Sequence, residues 1–213
     1  MRVTIIGAGR MGRGIGTRMV VGGNQVELID TDPAEARALA DELNRQGGGK
    51  ASAGGRGGAI GGEVVVLAIP YGAVADVVAE YRDQLAGRVV VDITNPVDFA
   101  TFEGLVTSPE RSAGEEVAGL LPPGTPVVKA FNTTFARTLV AGEVAGQKLD
   151  VLIAGDDQAA KDKVAALVEA GGLRAIDVGP LRRARQLEQL GFLHMSLQDR
   201  LGTNYGSAIK LLW

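Results

Sequence analysis

Short runs of β-branched and apolar residues alternate along the chain with stretches whose apolar positions return every third or fourth residue, as strands and amphipathic helices in turn do. The runs predict strands at Arg2–Ile6, Gln25–Asp30, Glu63–Ile69, Arg88–Ile93, Pro126–Phe131, Asp150–Ala154 and Ala175–Val178. Several, such as Val64-Val65-Val66-Leu67-Ala68-Ile69, are apolar without a break, which is the mark of strands buried on both faces. Regular alternation of strand and helix points to βαβ units around a parallel sheet. The predicted fold is α/β, a Rossmann-type doubly wound, mainly parallel sheet. Residues 1–213 read as a single domain in which 146–213 form a small C-terminal α/β extension.

The prolines fall at the edges of this division, where no ladder or helix bond is asked of them. Pro33 and Pro109 follow Asp32 and Ser108, as first-turn prolines follow N-caps. Pro70, Pro96 and Pro180 end strands, and Pro122-Pro123 ends a helix that starts near a capping box at Ser112 and Glu115. Further on, Leu187, Leu190, His194, Leu197 and Leu201 recur at spacings of three and four, so Leu181–Leu201 reads as one long helix with that face packed. The stretch Gln46–Gly62 departs from the pattern, with nine glycines in 17 positions. It reads first as a flexible loop, because ordering glycine is entropically costly, and second as a short strand at Ala51–Ala53 with a weak turn of helix. Both readings put it at the sheet edge.

Composition narrows the function classes. Charged residues are 22% and hydrophobic ones 46% of the 213, ordinary globular values, and no apolar run nears the roughly 18 residues of a membrane span. Met1-Arg2-Val3-Thr4-Ile5-Ile6 runs straight into a glycine loop, where a signal peptide would carry its apolar segment, so the cytoplasm is the expected location. With no cysteine and a single histidine, disulfides, thiolate zinc sites and histidine clusters are excluded, and no metal site is expected. A net charge of -3 makes no global case for nucleic acid.

The chemistry begins at Gly7-Ala8-Gly9-Arg10-Met11-Gly12. A glycine pattern of this kind is weak alone, but here it follows an apolar strand, opens a helix, and precedes Asp30 at the end of the second strand. Gly7 permits the tight turn, Gly9 lets backbone approach a pyrophosphate, and Gly12 lets helix and strand pack closely. The helix N-terminus then offers free N–H groups to the anion. Asp30, with Thr31 beside it, is placed to accept from the adenosine ribose, which favours NAD over NADP, while Arg10 or Arg13 could bind a phosphate instead. Two further loops should face the same cleft, Ile69-Pro70-Tyr71 and Asn95-Pro96-Val97, each a proline-fixed turn at the end of a buried strand.

On these residues the whole chain resembles the deazaflavin-dependent NADP oxidoreductases, which pass hydride between NADP and coenzyme F420, and the related reductase domains of the STEAP metalloreductases. The resemblance is carried by Ile6–Gly12, Leu67-Ala68-Ile69-Pro70-Tyr71, Asp92-Ile93-Thr94-Asn95-Pro96, Ser108-Pro109-Glu110-Arg111-Ser112-Ala113, Val128-Lys129-Ala130-Phe131-Asn132-Thr133, Ala154-Gly155-Asp156-Asp157, Asp177-Val178-Gly179-Pro180-Leu181 and Ser207-Ala208-Ile209-Lys210. It implies a nicotinamide cofactor, NAD or NADP, and a second ring, coenzyme F420 or a flavin, stacked against the nicotinamide. Carried onto this chain, the second-ring positions are Asn95, Pro96, Val97, Asn132, Gly179, Pro180 and Leu181. It also implies that no side chain acts as acid or base, since hydride passes directly between ring carbons. His194 is then a packed helix residue, and Arg182, Arg183 and Arg185 form a basic cluster near the expected second ring, read first as solvated surface and second as an anion or phosphate contact. One departure stands out: NADP-binding members carry small polar and arginine residues after the second strand, where this chain has Asp30-Thr31-Asp32.

Two other functions share these residues. One is a dehydrogenase or imine reductase of a small metabolite; the other is a non-enzymatic dinucleotide sensor. The expected partner is a small-molecule redox cofactor, with a homodimer as the candidate assembly and neither nucleic acid nor membrane involved.

Overall fold

The structure, a computed structural model, describes residues 1–213. In chain order the elements are β1 (Arg2–Ile6), α1 (Arg10–Val21), β2 (Gln25–Ile29), α2 (Pro33–Asn44), β3 (Lys50–Ala53), β4 (Val64–Leu67), α3 (Val74–Leu85) and β5 (Val89–Asp92). They continue with α4 (Ala113–Leu120), β6 (Val127–Lys129), α5 (Ala136–Ala141), β7 (Glu143–Val144), β8 (Gln147–Lys148), β9 (Asp150–Gly155), α6 (Gln158–Ala170), β10 (Arg174–Gly179), α7 (Ala184–Ser196) and α8 (Gln198–Leu201). One eight-stranded sheet runs β10-β9-β6-β5-β4-β1-β2-β3, and β7 with β8 forms a small separate hairpin.

Alternation along the strands builds two cores. Val3, Ile5, Val64, Val66, Val89 and Val91 face α1, α2 and α6, where Ile15, Met19, Leu39, Leu43, Val164 and Leu167 cover them. Ile6, Val65, Leu67, Val90 and Val127 face the other way, onto Val74, Val78, Tyr81 and Leu85 of α3 and Val117 of α4. Burial on both faces explains the unbroken apolar runs. The neighbours of β1 are β2 on one side and β4 on the other, so the order of the sheet reverses there and a crevice opens at the carboxyl ends of these strands.

The seven predicted strands are all present with ends shifted by at most two residues. The glycine-rich stretch holds an edge strand: β3 pairs with β2 in parallel from Gln25 and Lys50 to Leu28 and Ala53, and Asn44 clamps Ala51 through both its N–H and its carbonyl. The strand reading holds for Lys50–Ala53, while the rest of Gln46–Gly62 is turn and irregular chain, as the loop reading has it, with no helix in it. The sheet is parallel except at one seam, where β9 runs antiparallel to β6 and β10 follows β9.

Pro33 starts α2 behind Asp32, whose side chain accepts from the Ala34 N–H at 2.8 Å, as expected. The capping box is formed, with Ser112 Oγ accepting from Glu115 N–H at 3.0 Å and Glu115 accepting from Ser112 N–H at 2.9 Å. Pro109, by contrast, lies in a turn ahead of α4 and starts no helix. The long C-terminal helix is interrupted as well. A 3-10 turn, Leu181–Arg183, precedes α7, and α8 follows after Leu197. Its packed face is Ala184, Leu187, Glu188, Gly191, His194 and Gln198, and Leu201 is 57% exposed. The leucine pattern misplaced that face because two polar residues, Glu188 and Gln198, are buried with bonded partners.

Candidate functional site

The glycine loop turns where β1 ends. Gly7 has φ +110, a conformation side-chain-bearing residues rarely adopt, and a Cβ there would lie 2.2 Å from the Ala68 carbonyl oxygen. A Cβ on Gly12 would lie 2.0 Å from the Gly7 carbonyl oxygen, so this glycine sets the closeness of helix and strand. Gly9 is different: it is the N-cap of α1 in extended backbone, no side chain caps the helix, and a Cβ on it would meet nothing within 4 Å. Open space thus stands over the bare N-terminus of α1, the arrangement that receives a phosphate.

Asp30 fastens this turn. Its Oδ2 accepts from the Ala8 N–H at 2.7 Å, and its Oδ1 accepts from the Asp32 N–H at 3.0 Å and the Thr31 hydroxyl at 3.2 Å. Partial burial pushes its carboxyl up, but these donors outweigh burial and hold it below the usual carboxylate range. It is ionised at neutral pH.

A cavity of about 360 Å³ opens beside the loop at the switch point. Gly7, Gly9, Asp30, Thr31, Ile69 and Pro70 line it, as the sequence predicts, and Ile29, Ala73, Val77 and Tyr81 complete an apolar slot. Its size lies in the range of small-molecule sites. Ala8, Arg10, Met11 and Gly12 shape the turn without lining the cavity. Arg13 is paired with Glu42 at 3.2 Å. Tyr71, expected in the wall, instead donates its hydroxyl to Glu116 of α4, and burial together with that carboxylate pushes its phenol up to about 12.

Two charged residues of the cavity went unread in the sequence. Arg56, from the glycine-rich segment, and Glu80, from α3, form an ion pair at its mouth. Arg56 sits in the turn after β3, whose backbone is tied to α3 through the Tyr81 hydroxyl, and a stretch without periodicity gives no such sign.

Farther along the carboxyl edge, Asn95 and Asn132 are bound to each other. Asn95 Nδ2 donates to the Asn132 carbonyl at 2.7 Å, while Asn132 Nδ2 donates to Asn95 Oδ1 and to the Leu187 carbonyl, both at 2.9 Å. Gly191 lets α7 approach this pair; a Cβ there would stand 2.8 Å from Asn95 Oδ1. Phe131, buried at φ +62, makes the turn that presents Asn132, and its carbonyl accepts from Thr134 N–H and hydroxyl at 3.0 and 2.7 Å. Asn132 Oδ1 and the Thr94 hydroxyl are buried without a protein partner. Beneath them lies Lys129, fully buried, with Asp92 at 2.8 Å and Glu188 at 2.7 Å.

The other second-ring positions are dispersed. Val97 is buried next to Pro96 and bridges to Leu105. Gly179 and Pro180 are half-buried at the end of β10, which runs against β1–β6, and Leu181 packs into the core against α4. The Leu181 side chain is therefore a core residue and not a cleft wall. In the basic cluster, Arg185 pairs with Glu115 at 3.6 Å, and Arg182 and Arg183 are exposed. No helix is long and apolar enough to cross a membrane.

A glycine loop, a switch-point cavity and paired asparagines describe many dinucleotide enzymes, and comparison with known proteins separates them. The family described as NADP oxidoreductase, coenzyme F420-dependent, matches residues 2–96. An F420-dependent NADP reductase of Methanothermobacter thermautotrophicus is 33% identical over 216 residues, spanning 94% of this chain and 90% of that protein. The chain belongs to the F420-dependent NADP reductase family. Membership covers nearly its full length, as the crystal structure of a protein of Arthrobacter sp. FB24 also shows, with TM-score 0.84, 29% identity and 99% of each chain aligned. The metalloreductase STEAP3 of Rattus norvegicus is 31% identical over 189 residues, which is 89% of this chain and 36% of that protein's length. The resemblance read from the motifs is thus confirmed in both its branches.

Proposed function

We propose that this chain transfers hydride between NADP and coenzyme F420, as an oxidoreductase whose side chains bind and orient without acting as acid or base. The observation that carries the reading is the open lane over Gly9 at the bare N-terminus of α1, beside the switch-point cavity, in a chain of this family. The residues fit the dinucleotide. The N-terminus of α1 suits the pyrophosphate, the slot between Ile29, Ile69, Pro70, Val77 and Tyr81 suits the adenine, and the unpartnered Asn132 Oδ1 and Thr94 hydroxyl suit a carboxamide. When bound, the two cofactors supply the ring carbons between which hydride moves. The protein holds the rings in contact and keeps water out, and positioning of this kind is worth up to about 7–11 kcal/mol of barrier. We assign the second ring to the rim of Asn95, Pro96, Val97 and Asn132, with Gly179 and Pro180 beside it.

The test mixes the protein with NADPH and, separately, F420, FMN, FAD and a ferric chelate, following nicotinamide absorbance. Rapid oxidation with F420 alone is expected. Binding of NADPH with no turnover by any acceptor would make the chain a sensor instead. For cofactor choice, Asp30 standing alone favours NAD; here its oxygens already serve the turn and an arginine faces the same cavity, and we assign NADP. Dissociation constants for NADPH and NADH at one ionic strength decide between them.

His194 separates positioning from acid–base chemistry. Its Nδ1 is 3.2 Å from the Thr133 carbonyl and its Nε2 2.8 Å from the Ser207 hydroxyl, so both ring nitrogens are spent, one on the loop after β6 and one on the C-terminal tail. His194→Gln is expected to keep hydride transfer within about tenfold, whereas a general acid or base is worth roughly 10²–10⁴. Single-turnover rates at saturating cofactor check this. Burial pushes the imidazole below its usual value, so the folded chain resists the proton that the unfolded chain accepts. The stability of the neutral form is present above about pH 6.5 and is lost as pH falls below it. The glutamine variant should show a flatter stability profile between about pH 7 and pH 5.

A further inference from the structure

Among the residues lining the cavity, the sole cation is Arg56. It lies in the turn that follows β3. The pairing of β2 with β3 ends at Leu28 and Ala53, and Gly54 N–H continues it by donating to the Leu28 carbonyl at 2.8 Å. β3 stops there and the chain turns, with Gly58 N–H donating to the Gly55 carbonyl at 2.9 Å, and Arg56 in that turn lines the cavity together with Thr31, just beyond the carboxyl end of β2 where a dinucleotide's adenosine ribose is held.

The side chain is held in place there. Its Nε donates to both Glu80 oxygens, at 3.4 and 3.2 Å, and its Nη2 to one of them at 3.0 Å, which leaves Nη1 without a protein partner. The backbone around it is pinned to the same helix: Gly57 N–H donates to the Tyr81 hydroxyl at 2.7 Å, Ile60 N–H to Gln84 Oε1 at 2.8 Å, and Gln84 Nε2 to the Gly58 carbonyl at 3.1 Å. A guanidinium held in advance gives up less freedom on binding than a free one. Meanwhile the residues after β2 are Asp30-Thr31-Asp32, which offer a phosphate no positive charge, Arg10 does not line the cavity, and Arg13 is engaged by Glu42. A 2′-phosphate carries about -1.5 to -2 charges and needs a cation within reach.

We propose that Arg56, held by Glu80, is the residue that reads the 2′-phosphate of NADP, an assignment that rests on the NADP reading above. Calorimetric titrations of wild type, Arg56→Ala, Arg56→Lys and Arg10→Ala with NADPH, NADH, adenosine 2′,5′-bisphosphate and 5′-ADP test it without any turnover. Arg56→Ala should weaken NADPH and the bisphosphate about tenfold or more, the worth of one charge-assisted hydrogen bond, and change NADH and 5′-ADP by less than about twofold. Arg56→Lys should recover part of the loss, and Arg10→Ala should change neither class. Equal weakening of both ligand classes would show that Arg56 only covers the adenine, and loss on Arg10→Ala alone would move the role to that residue; either overturns the proposal while NADP remains the cofactor. Wild type that binds NADH as well as NADPH overturns the cofactor reading and the role of Arg56 together. The Arg56 side chain is 53% exposed, so the fold is expected to tolerate each variant, which unchanged thermal melting checks.

Discussion

Lys129→Met is expected to cost the folded state about 3–5 kcal/mol, the penalty of leaving buried charge without its partner. The lysine ends β6 with no exposed surface, and its ammonium contacts Asp92 Oδ2 at 2.8 Å, Glu188 Oε1 at 2.7 Å and the Thr94 carbonyl at 2.5 Å. Glu188 also accepts from the Ala113 and Gly114 N–H groups at the start of α4, so one ammonium joins β5, β6, α4 and α7 below the carboxyl edge. Methionine fills a similar volume and answers neither carboxylate. Burial already pushes the Glu188 carboxyl up despite the pull of Lys129, and without the lysine it will rise further. A group whose folded pKa is raised adds stability below its unfolded value and loses it as pH climbs. The variant should therefore fall further behind wild type at pH 8 than at about pH 5, by denaturant unfolding, and adding Glu188→Gln should recover part of the loss. A cost under about 1 kcal/mol at pH 8 would mean that the triad is not a structural unit.

Gly9→Val should leave the fold intact and remove dinucleotide binding. The backbone of Gly9, at φ -71 and ψ -164, suits any residue, and its Cβ would stand in free space. That space is the approach to the helix N-terminus. Several charge-assisted bonds of about 1.5–3 kcal/mol each are made through such a lane, so a weakening of at least two orders of magnitude in affinity is expected. Gly12→Val is the contrasting case, because its Cβ would be forced to 2.0 Å from the Gly7 carbonyl oxygen and the strand-to-helix turn itself should fail. Normal nucleotide titration of a folded Gly9→Val protein would place the pyrophosphate elsewhere.

Local physics made much of this legible. The buried strands announced themselves as apolar runs, the capping box as Ser112 and Glu115, and the anion cradle as six consecutive residues after β1. What escaped depended on partners far away in sequence. The edge strand β3, made of Lys, Ala and Ser, is legible only as the second of two readings, because its pairing with β2 decides it, and the turn that sets Arg56 against Glu80 carries no periodic signal. The reversed direction of β9 is likewise a tertiary fact, since its Asp150–Gly155 run would serve a strand of either sense. Along α7 and α8, a leucine stripe that rightly included His194 hid the burial of Glu188 and Gln198, which is made affordable by Lys129, Ser207 and Thr203.

Asp30 also bears on how such a chain can change over generations. A carboxylate that touched only a ribose could be exchanged freely whenever a lineage shifted from one dinucleotide to the other. Here exchange for a residue without an oxygen at this reach would also release the Ala8 N–H and slacken the turn that every dinucleotide needs. Position 30 is thereby frozen by its second duty. Variation is left to position 56, whose side chain is on the surface and whose neighbours Gly54, Gly55, Gly57 and Gly58 crowd it with no side chains of their own. In this protein the acid that ends β2 doubles as scaffolding for the glycine loop.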